Sequence, residues 1–368
     1  MKPLVSLDDA LAGLLEGLAA VQEISVPVVE AVGSIAAAMA PLGVGVPQQD
    51  TAMRDGWALS SRDLVGATSY APAFLPNPPL WIEAGQPMPE GCDCIVDPDL
   101  VEVNGPLAQV TGEASPGAGV RRAGGDIAQG ASIIAPGSVV RPLDAALACA
   151  AGLSGIAIRK PRVTIVDVVS STDKAVTSDF IAALARRAGA AVSLRRMENR
   201  NMATLVATLE TEADLLVFIG GTGEGRDDNV AAAISSRGAL LAHSIAIAPG
   251  TTALTGRMGG LPILALPGRL DQALSAWLLL ALPVLARLSA RSEPPSLSLP
   301  LVRKISSAPG MAEIVLLKRD DMRWMPLAIG DLPLSLIAEA DAWLVVPGES
   351  EGYAAGTICR GFVLEGYV

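Results

Sequence analysis

The residues best able to do chemistry lie in one stretch, Gly220-Gly221-Thr222-Gly223-Glu224-Gly225, followed by Asp227 and Asp228. Five apolar residues, Leu215 to Ile219, precede it, and an alanine-rich run from Asn229 to Ser236 follows. The pattern predicts a buried strand, a glycine turn and a helix. Such a junction brings backbone N–H groups and the positive end of a helix dipole to one point. A phosphate or another oxyanion suits that point, and a carboxylate beside it, Asp228, suits a metal ion. The same residues also suit a tight turn with Asp228 as a first-turn acid, and spacing alone leaves both readings open. No Lys-Ser/Thr pair follows the glycines, so this is not a Walker A loop.

Three further clusters qualify. Leu266-Pro267-Gly268-Arg269 ends an apolar run before a long helical pattern, and a guanidinium there suits phosphate or carboxylate recognition. Thr51-Ala52-Met53-Arg54-Asp55-Gly56-Trp57-Ala58 packs a Met, an Asp, a Gly and an aromatic closely together. Arg121, Arg122 and Asp126 form the last, for which a solvated face is the plain alternative.

Regular α/β alternation must position the first two clusters. Strands are expected at Val163–Val169, Ala191–Met197, Leu215–Ile219, Leu240–Ile247 and Ile263–Leu266. Helices are expected at Ser178–Ala188, Met202–Glu212, Asn229–Ser236 and Asp271–Leu288. Continuous Val/Ile/Leu strands between helices imply a mostly parallel sheet covered on both faces, with ligands outside the strands' carboxyl ends. Upstream, the spacing predicts a helix at Ser6–Val21, an extended piece at Ser25–Val29 and a second helix at Ala31–Met39. Frequent Pro and Gly from Pro41 to Gly130 mark a small β module, with short runs at Leu80–Ile82, Cys94–Val96 and Leu100–Val103. A helix over Asp144–Ala151 then ends at Gly152. Arg291 to Pro300 reads as a linker, and Leu301 to Val368 as a second small β domain.

Composition narrows the function classes. The chain has 368 residues, 51% of them apolar, and a net charge of −11 without a basic cluster, which excludes the footprint of a nucleic-acid binder. Mean hydropathy is +0.44, yet the longest apolar run, Ala276 to Ala286, is broken by Pro283 and falls short of the roughly 20 residues of a membrane span. Asp8, Asp9 and Glu16 interrupt the N-terminal apolar positions, unlike a signal peptide, so a cytoplasmic protein is expected. One histidine, His243, and four cysteines, of which only Cys92 and Cys94 are close, argue against a His-based triad or a zinc site.

In segment order the chain resembles the molybdopterin molybdenumtransferases of the bacterial MoeA and gephyrin E-domain type. The family's N-S-A-M-D-G-Y-A is matched by Asp50 to Ala58, its P-x-P-E-G-C by Pro87 to Cys92, and its R-R-x-G-E-D-I by Arg121 to Ile127. Its S-G-G-V-S-x-G-x-x-D corresponds to Ile219 to Asp228, its L-P-G-N-P-V-S to Leu266 to Gln272, and its C-terminal pattern to Pro326 through Pro347. The resemblance implies an elongated multidomain α/β plus β chain. Residues 1–44 with 131–160 would form an N-terminal linking domain, 45–130 an inserted β module, 161–290 a three-layer α/β molybdopterin-binding domain, and 291–368 a C-terminal β domain.

It also implies a homodimer that inserts molybdate into adenylylated molybdopterin and releases AMP with Mg²⁺, alone or beside other cofactor-assembly proteins. Asp55, Asp126 and Asp228 fall on acidic positions of the family's site, with Asp228 as a metal or pterin contact and Asp55 lent across the dimer. Gly220, Gly221, Thr222, Gly223, Gly225, Pro267, Gly268 and Arg269 would bind the substrate.

Several positions depart from the family pattern. S-T-G-D-E-L is here Ser171-Thr172-Asp173-Lys174, T-G is Ala84-Gly85, and an R-D-D segment looks like Glu198-Asn199-Arg200. K-P-G-K-P is Ala248-Pro249-Gly250-Thr251-Thr252, without either lysine, and N-P has become Arg269-Leu270. A hydrogen bond to a charged group contributes about 1.5–3 kcal/mol, so two lost lysines would cost about 3–6 kcal/mol. Arg226, Arg257 and Arg269 are the candidates to replace that charge. A degenerate paralogue, acting as a pterin carrier or a dimeric scaffold, is the competing expectation.

Overall fold

The computed structural model describes residues 4–104, 107–168, 175–197, 199–223, 225 and 228–364. Ser171 to Lys174, Glu198, Glu224, Arg226 and Asp227, named above, lie outside the described residues, as does Val169 at the end of an expected strand. The chain divides into two compact units: Met1–Ala38 with Pro136–Arg141 and Gly155–Val368, and Met39–Ala135 with Pro142–Ser154.

In chain order, the first unit's main elements are α1 (Leu7–Leu15), β1 (Arg162–Asp167), α2 (Val176–Arg187), β2 (Ala191–Arg196), α3 (Met202–Leu209), β3 (Leu215–Ile219), α4 (Val230–Arg237), β4 (Ala239–His243), β5 (Leu254–Met258), β6 (Leu261–Leu266) and the long helix α5 (Leu270–Ser289). Six strands form one sheet in the order β2-β1-β3-β6-β5-β4. The first four run parallel, and β5 and β4 complete the sheet antiparallel. Successive side chains of a strand point to opposite faces, and both faces are apolar here. Leu215, Val217 and Ile219 join one buried cluster with Ile181 and Trp277, while Leu216 and Phe218 join another with Leu205, Val230 and Ile234. Burial on both sides is why β3 is a continuous apolar run rather than an alternating one.

Helix α5 is long and apolar enough to cross a bilayer by composition, and 78% of its apolar window is buried inside the unit. Pro283 lacks an N–H and interrupts the helical bonding; a π turn at Trp277–Ala281 lies just before it and keeps the helix continuous. A second six-stranded sheet, with edge strand Ser296–Pro300 and central strands Ala312–Asp320 and Ala342–Val346, takes in Ile247–Ala248 at its opposite edge. Gly155–Arg159 pairs with Ile24–Pro27 and Ile35–Ala36 in a small third sheet.

The second unit is made of short strands. Gly56–Leu59 lies between Leu80–Ile82 and Cys94–Val96, and Leu107–Val110 between Ala73–Phe74 and Val101–Asn104. Thr51–Ala52 pairs with Val120–Arg121, and Pro142–Ala150 is helical.

The structure corrects several expectations. Helix α1 ends at Leu15 instead of Val21, because Gly17 takes a left-handed φ of 65° and Arg257 Nη2 donates to the Gly13 and Leu14 carbonyls. Ala31–Met39 is no helix. Gly33 has φ 81°, and the Ala36 and Ala37 N–H groups bond outward to Ser138 and Ala157. Residues 240–247 are not one strand: Ser244 has φ 68°, so β4 stops at His243 and Ile247–Ala248 joins the other sheet. Strand β5 was not foreseen, since Leu254–Met258 reads LTGRM without an apolar run. Nor is Arg291–Pro300 only a linker; Ser296–Pro300 is an edge strand, where proline is tolerated.

One consequence concerns acid stability. The Ala123 N–H (2.8 Å) and the Arg122 guanidinium (2.7 Å) both donate to Asp50 and hold its carboxyl below the usual carboxylate range. A lowered folded value contributes stability that is present above the unfolded value, about 3.9, and is lost as pH falls through the folded one. The difference in urea midpoint between wild type and Asp50→Asn should therefore be constant above about pH 5 and shrink toward zero in stronger acid. A difference that grows on acidification would contradict this assignment.

Candidate functional site

Helix α2, which follows β1, packs on one face of the sheet and α4, which follows β3, on the other, so the chain leaves β1 and β3 toward opposite faces. Open α/β sheets bind ligands at such a switch point. A cavity of about 760 Å³ lies there, lined by Asp167 and Val168 at the end of β1, Ile219 to Gly223 at the end of β3, and Pro267 to Arg269 after β6. That volume is in the range of small-molecule sites, about 300–1,000 Å³.

Its walls include the glycine turn and the starts of two helices. Gly220 and Gly221 have φ of 85° and 69°. A Cβ at Gly221 would come within 2.9 Å of Val230 Cγ2 and 3.1 Å of Val168 Cγ1. Glycine is therefore required there by both conformation and space. The first turns of α2 (Ala175 to Ser178) and of α5 (Arg269 and Leu270) also border the cavity, and neither helix start has a side-chain cap among the described residues. Uncapped first-turn N–H groups carry partial positive charge toward an anion.

Asp228 closes the glycine loop. Its Oδ2 accepts the Gly225 N–H at 3.1 Å, its own N–H donates to the Gly225 carbonyl at 3.0 Å, and its side chain is 18% exposed. Opposite stands Arg200, whose Nη1 lies 3.9 Å from Asp228 Oδ1 and whose Nη2 donates to the Val168 carbonyl at 3.2 Å. Asp167, nearly buried, accepts the Ser178 hydroxyl at 2.8 Å. Thr222 and Thr252 place their hydroxyls 3.3 Å apart, and Thr177 donates to the Gly268 carbonyl at 2.9 Å. Arg269 forks onto Asp271 with two 3.2 Å bonds, which hold its guanidinium above the ordinary value while 72% of the side chain stays exposed.

The cavity thus brings together Gly220, Gly221, Thr222, Gly223, Asp228, Pro267, Gly268 and Arg269, with Gly225 bonded to Asp228. Asp167 and Arg200 were missed in the sequence. An aspartate ending a strand gave a signal for the first; nothing local gave one for Arg200. Asp55 and Asp126 belong to the second unit and are not among the residues lining this cavity. There the three motif segments meet. Met88 N–H bonds the Asp50 carbonyl, Gly85 N–H bonds the Ala52 carbonyl, and Ala84 N–H donates to Asp55 Oδ1 at 2.8 Å. Asp126 pairs with Arg121 at 3.3 Å.

Two family models match the chain. One, the MoeA N-terminal region (domain I and II), covers residues 5–152, and the other, a molybdopterin binding domain, covers residues 167–287. Molybdopterin molybdenumtransferase 2 of Mycobacterium tuberculosis is 27% identical over 385 residues, covering 93% of this chain and 95% of that protein. The chain belongs to the MoeA-type molybdopterin molybdenumtransferase family. A molybdopterin molybdenumtransferase of Synechococcus elongatus is 26% identical, covering 85% of this MoeA-type chain and 87% of its own length. The solved MoeA structure from Pyrococcus horikoshii OT3 shares the fold, with a TM-score of 0.70 at 20% identity, covering 98% of this chain and all of that one (100%).

Among the described residues of this MoeA-type chain, no three His, Cys, Asp or Glu side chains assemble as a metal cage. Mg²⁺ does not need one, since it takes one or two carboxylates plus substrate phosphates. Asp228 is a carboxylate lining this cavity and would be the one to hold such an ion. Burial pushes the Cys94 thiol up to about 11 and the Cys92 thiol upward as well.

Proposed function

We propose that this MoeA-type transferase of molybdenum cofactor biosynthesis inserts molybdate into adenylylated molybdopterin, with release of AMP, at the switch-point cavity of its α/β unit. The observation that carries the reading is the convergence of the glycine loop, two uncapped helix starts and Asp228 on one cavity. Substrate phosphate and molybdate oxygens accept hydrogen bonds from the Gly221–Gly223 backbone and from the α2 and α5 first turns. Preorganised N–H groups of this kind cost no reorganisation as charge develops on leaving phosphate oxygens. Thr222 and Thr252 present hydroxyls to the same anions. Asp228, fixed by Gly225, keeps one carboxylate oxygen toward Arg200 and the cavity.

Mg²⁺, when bound with substrate at Asp228, would neutralise phosphate charge and polarise the bond to the leaving AMP. Asp55 and Asp126, on the paired motif segments of the second unit, complete the acidic set in a homodimer, Asp55 coming from across the dimer. The four-domain division (1–44 with 131–160, 45–130, 161–290, 291–368), a cytoplasmic location and contacts with other cofactor-assembly proteins complete the proposal.

Full-length similarity to proteins named molybdenumtransferases does not favour the carrier or scaffold alternative. The purified protein incubated with adenylylated molybdopterin, molybdate and Mg²⁺ should release AMP in step with molybdenum-cofactor formation. Tight pterin binding without AMP would instead establish the carrier.

A further inference from the structure

A smaller cavity, of about 340 Å³, lies at the other end of the α/β sheet from the switch point, where β1 and β2 begin. Three parts of the first unit meet there. The small third sheet pairs Arg159 with Ile35, and the same register sets Lys160 opposite Ser34. Arg186 stands in the last turn of α2. Gly189 has φ 90°, and a Cβ on it would come within 3.2 Å of Ile35 Cγ1, so the end of α2 closes onto the Gly33–Ile35 segment.

The chemistry of this cavity runs against that of the chain. The protein carries a net charge of −11, yet the described lining holds two cations, Lys160 and Arg186, and no carboxylate. The switch-point cavity, by contrast, carries Asp167 and Asp228. Basic neighbours on either side are paired, Arg159 with Glu23, Arg162 with Asp214 and Arg196 with Asp179. Lys160 and Arg186 pair with no acidic side chain among the described residues. A cation in the last turn also suits the negative end of a helix dipole. That end is already bonded here, because the Ala188, Gly189 and Ala190 N–H groups return to the Leu184, Arg186 and Ala185 carbonyls. The third polar side chain is Ser34, only 3% exposed. Its N–H bonds the Ala31 carbonyl and its carbonyl accepts the Val140 N–H, but its hydroxyl has no partner among the described residues. A sheltered hydroxyl without a partner is costly, and a ligand oxygen that accepts its proton removes the cost.

We propose that this cavity binds a tetrahedral dianion of the phosphate class, free or as a phosphomonoester, through Lys160, Arg186 and the Ser34 hydroxyl. A guanidinium fork meets two oxygens of such an ion, an ammonium acts as a point charge on a third, and a hydroxyl donates one further bond. The volume is at the small end of small-molecule sites. It leaves room for a short organic group against Val32 and Val192. The site is distinct from the substrate cavity. Helix α2, 12 residues and so about 18 Å long, borders one cavity with its first turn and the other with its last. Binding here does not depend on the transferase reaction.

Titration of the full chain with orthophosphate at constant ionic strength, followed at individual backbone amides by NMR, tests this. The Gly33, Ser34 and Val192 signals should shift and saturate, while those of Gly221 to Gly223 report phosphate in the substrate cavity separately. Lys160→Gln and Arg186→Gln should each raise the Kd read at Gly33 about 5- to 10-fold, a modest loss because both side chains are exposed. Ser34→Ala leaves the charge untouched and should weaken binding about 2- to 10-fold, which diffuse attraction to two cations would not produce. Melting temperatures show that each variant is folded, and the two exposed positions keep the test open if Ser34→Ala is unstable. Phenyl phosphate in a parallel titration identifies the form bound: tighter binding than orthophosphate means a phosphomonoester resting on Val32 and Val192, and binding no tighter means the free ion. Shifts confined to Gly221–Gly223 would overturn the site. So would shifts at Gly33 that never saturate, or a Kd there that all three variants leave within twofold of wild type.

Discussion

Replacing Asp228 by alanine is expected to slow AMP release about 100- to 1,000-fold, the scale of removing one preorganised electrostatic group from an active site. The fold should survive. Asp228 is part-exposed and contributes one side-chain bond to the loop, from the Gly225 N–H, so the melting temperature should stay near that of wild type. Asparagine in its place separates the two roles of this side chain. Its amide oxygen still accepts the Gly225 N–H and keeps the loop closed, but it carries no charge for a cation or for Arg200. Asp228→Asn should therefore be nearly as slow as Asp228→Ala in a single-turnover assay. Near-normal turnover by the asparagine variant would mean that loop geometry, and not the carboxylate charge, is what the reaction needs.

The largest stability effect should come from Trp277. It is fully buried in the π turn of α5 and belongs to the same core cluster as one face of β3. Truncating a buried tryptophan to alanine costs about 3–5 kcal/mol through lost burial and a residual cavity. Trp277→Phe should cost far less, within about 1.5 kcal/mol. The indole Nε1 has no hydrogen-bond partner among the described residues, so phenylalanine removes an unsatisfied donor along with some volume. Urea denaturation of the three proteins checks both values. An alanine variant as stable as the phenylalanine one would show that the core around the π turn collapses onto the gap.

Much of the α/β unit was legible because its strands are buried on both faces and read as unbroken apolar runs. Leu215–Ile219 is found at its expected limits, and so are the short strands Leu80–Ile82 and Cys94–Val96 of the second unit. Where local sequence and tertiary pairing disagreed, pairing won. The alanines around Ile35 have helical propensity, yet their backbone bonds go to Ser138 and Ala157. Strand β5 contains a glycine and an arginine, and its place in the sheet comes from β6 and β4 on either side. From spacing, the glycine loop could be read as an anion cradle or as a tight turn. The placement of Arg200 could not, because it is set by contacts with Val168 and Asp228, 32 and 28 residues away in the chain (200 − 168 and 228 − 200).

The short strand Ile247–Ala248 has a consequence for the order in which the site is made. Its neighbour Thr252 lines the cavity beside Thr222, yet its partners come from distant parts of the chain. Ala246 N–H bonds the Val5 carbonyl, and Ala312 N–H bonds the Ala246 carbonyl. As the polypeptide emerges, the sheet from β1 to β6 and the glycine loop are complete well before Ala312 exists. The cradle is synthesised early, but the strand leading into its far wall acquires its last hydrogen bonds only when the C-terminal sheet arrives. Closing such a long-range pairing is slow on the scale of local helix formation. A nascent chain carries the glycine loop before it carries the finished cavity.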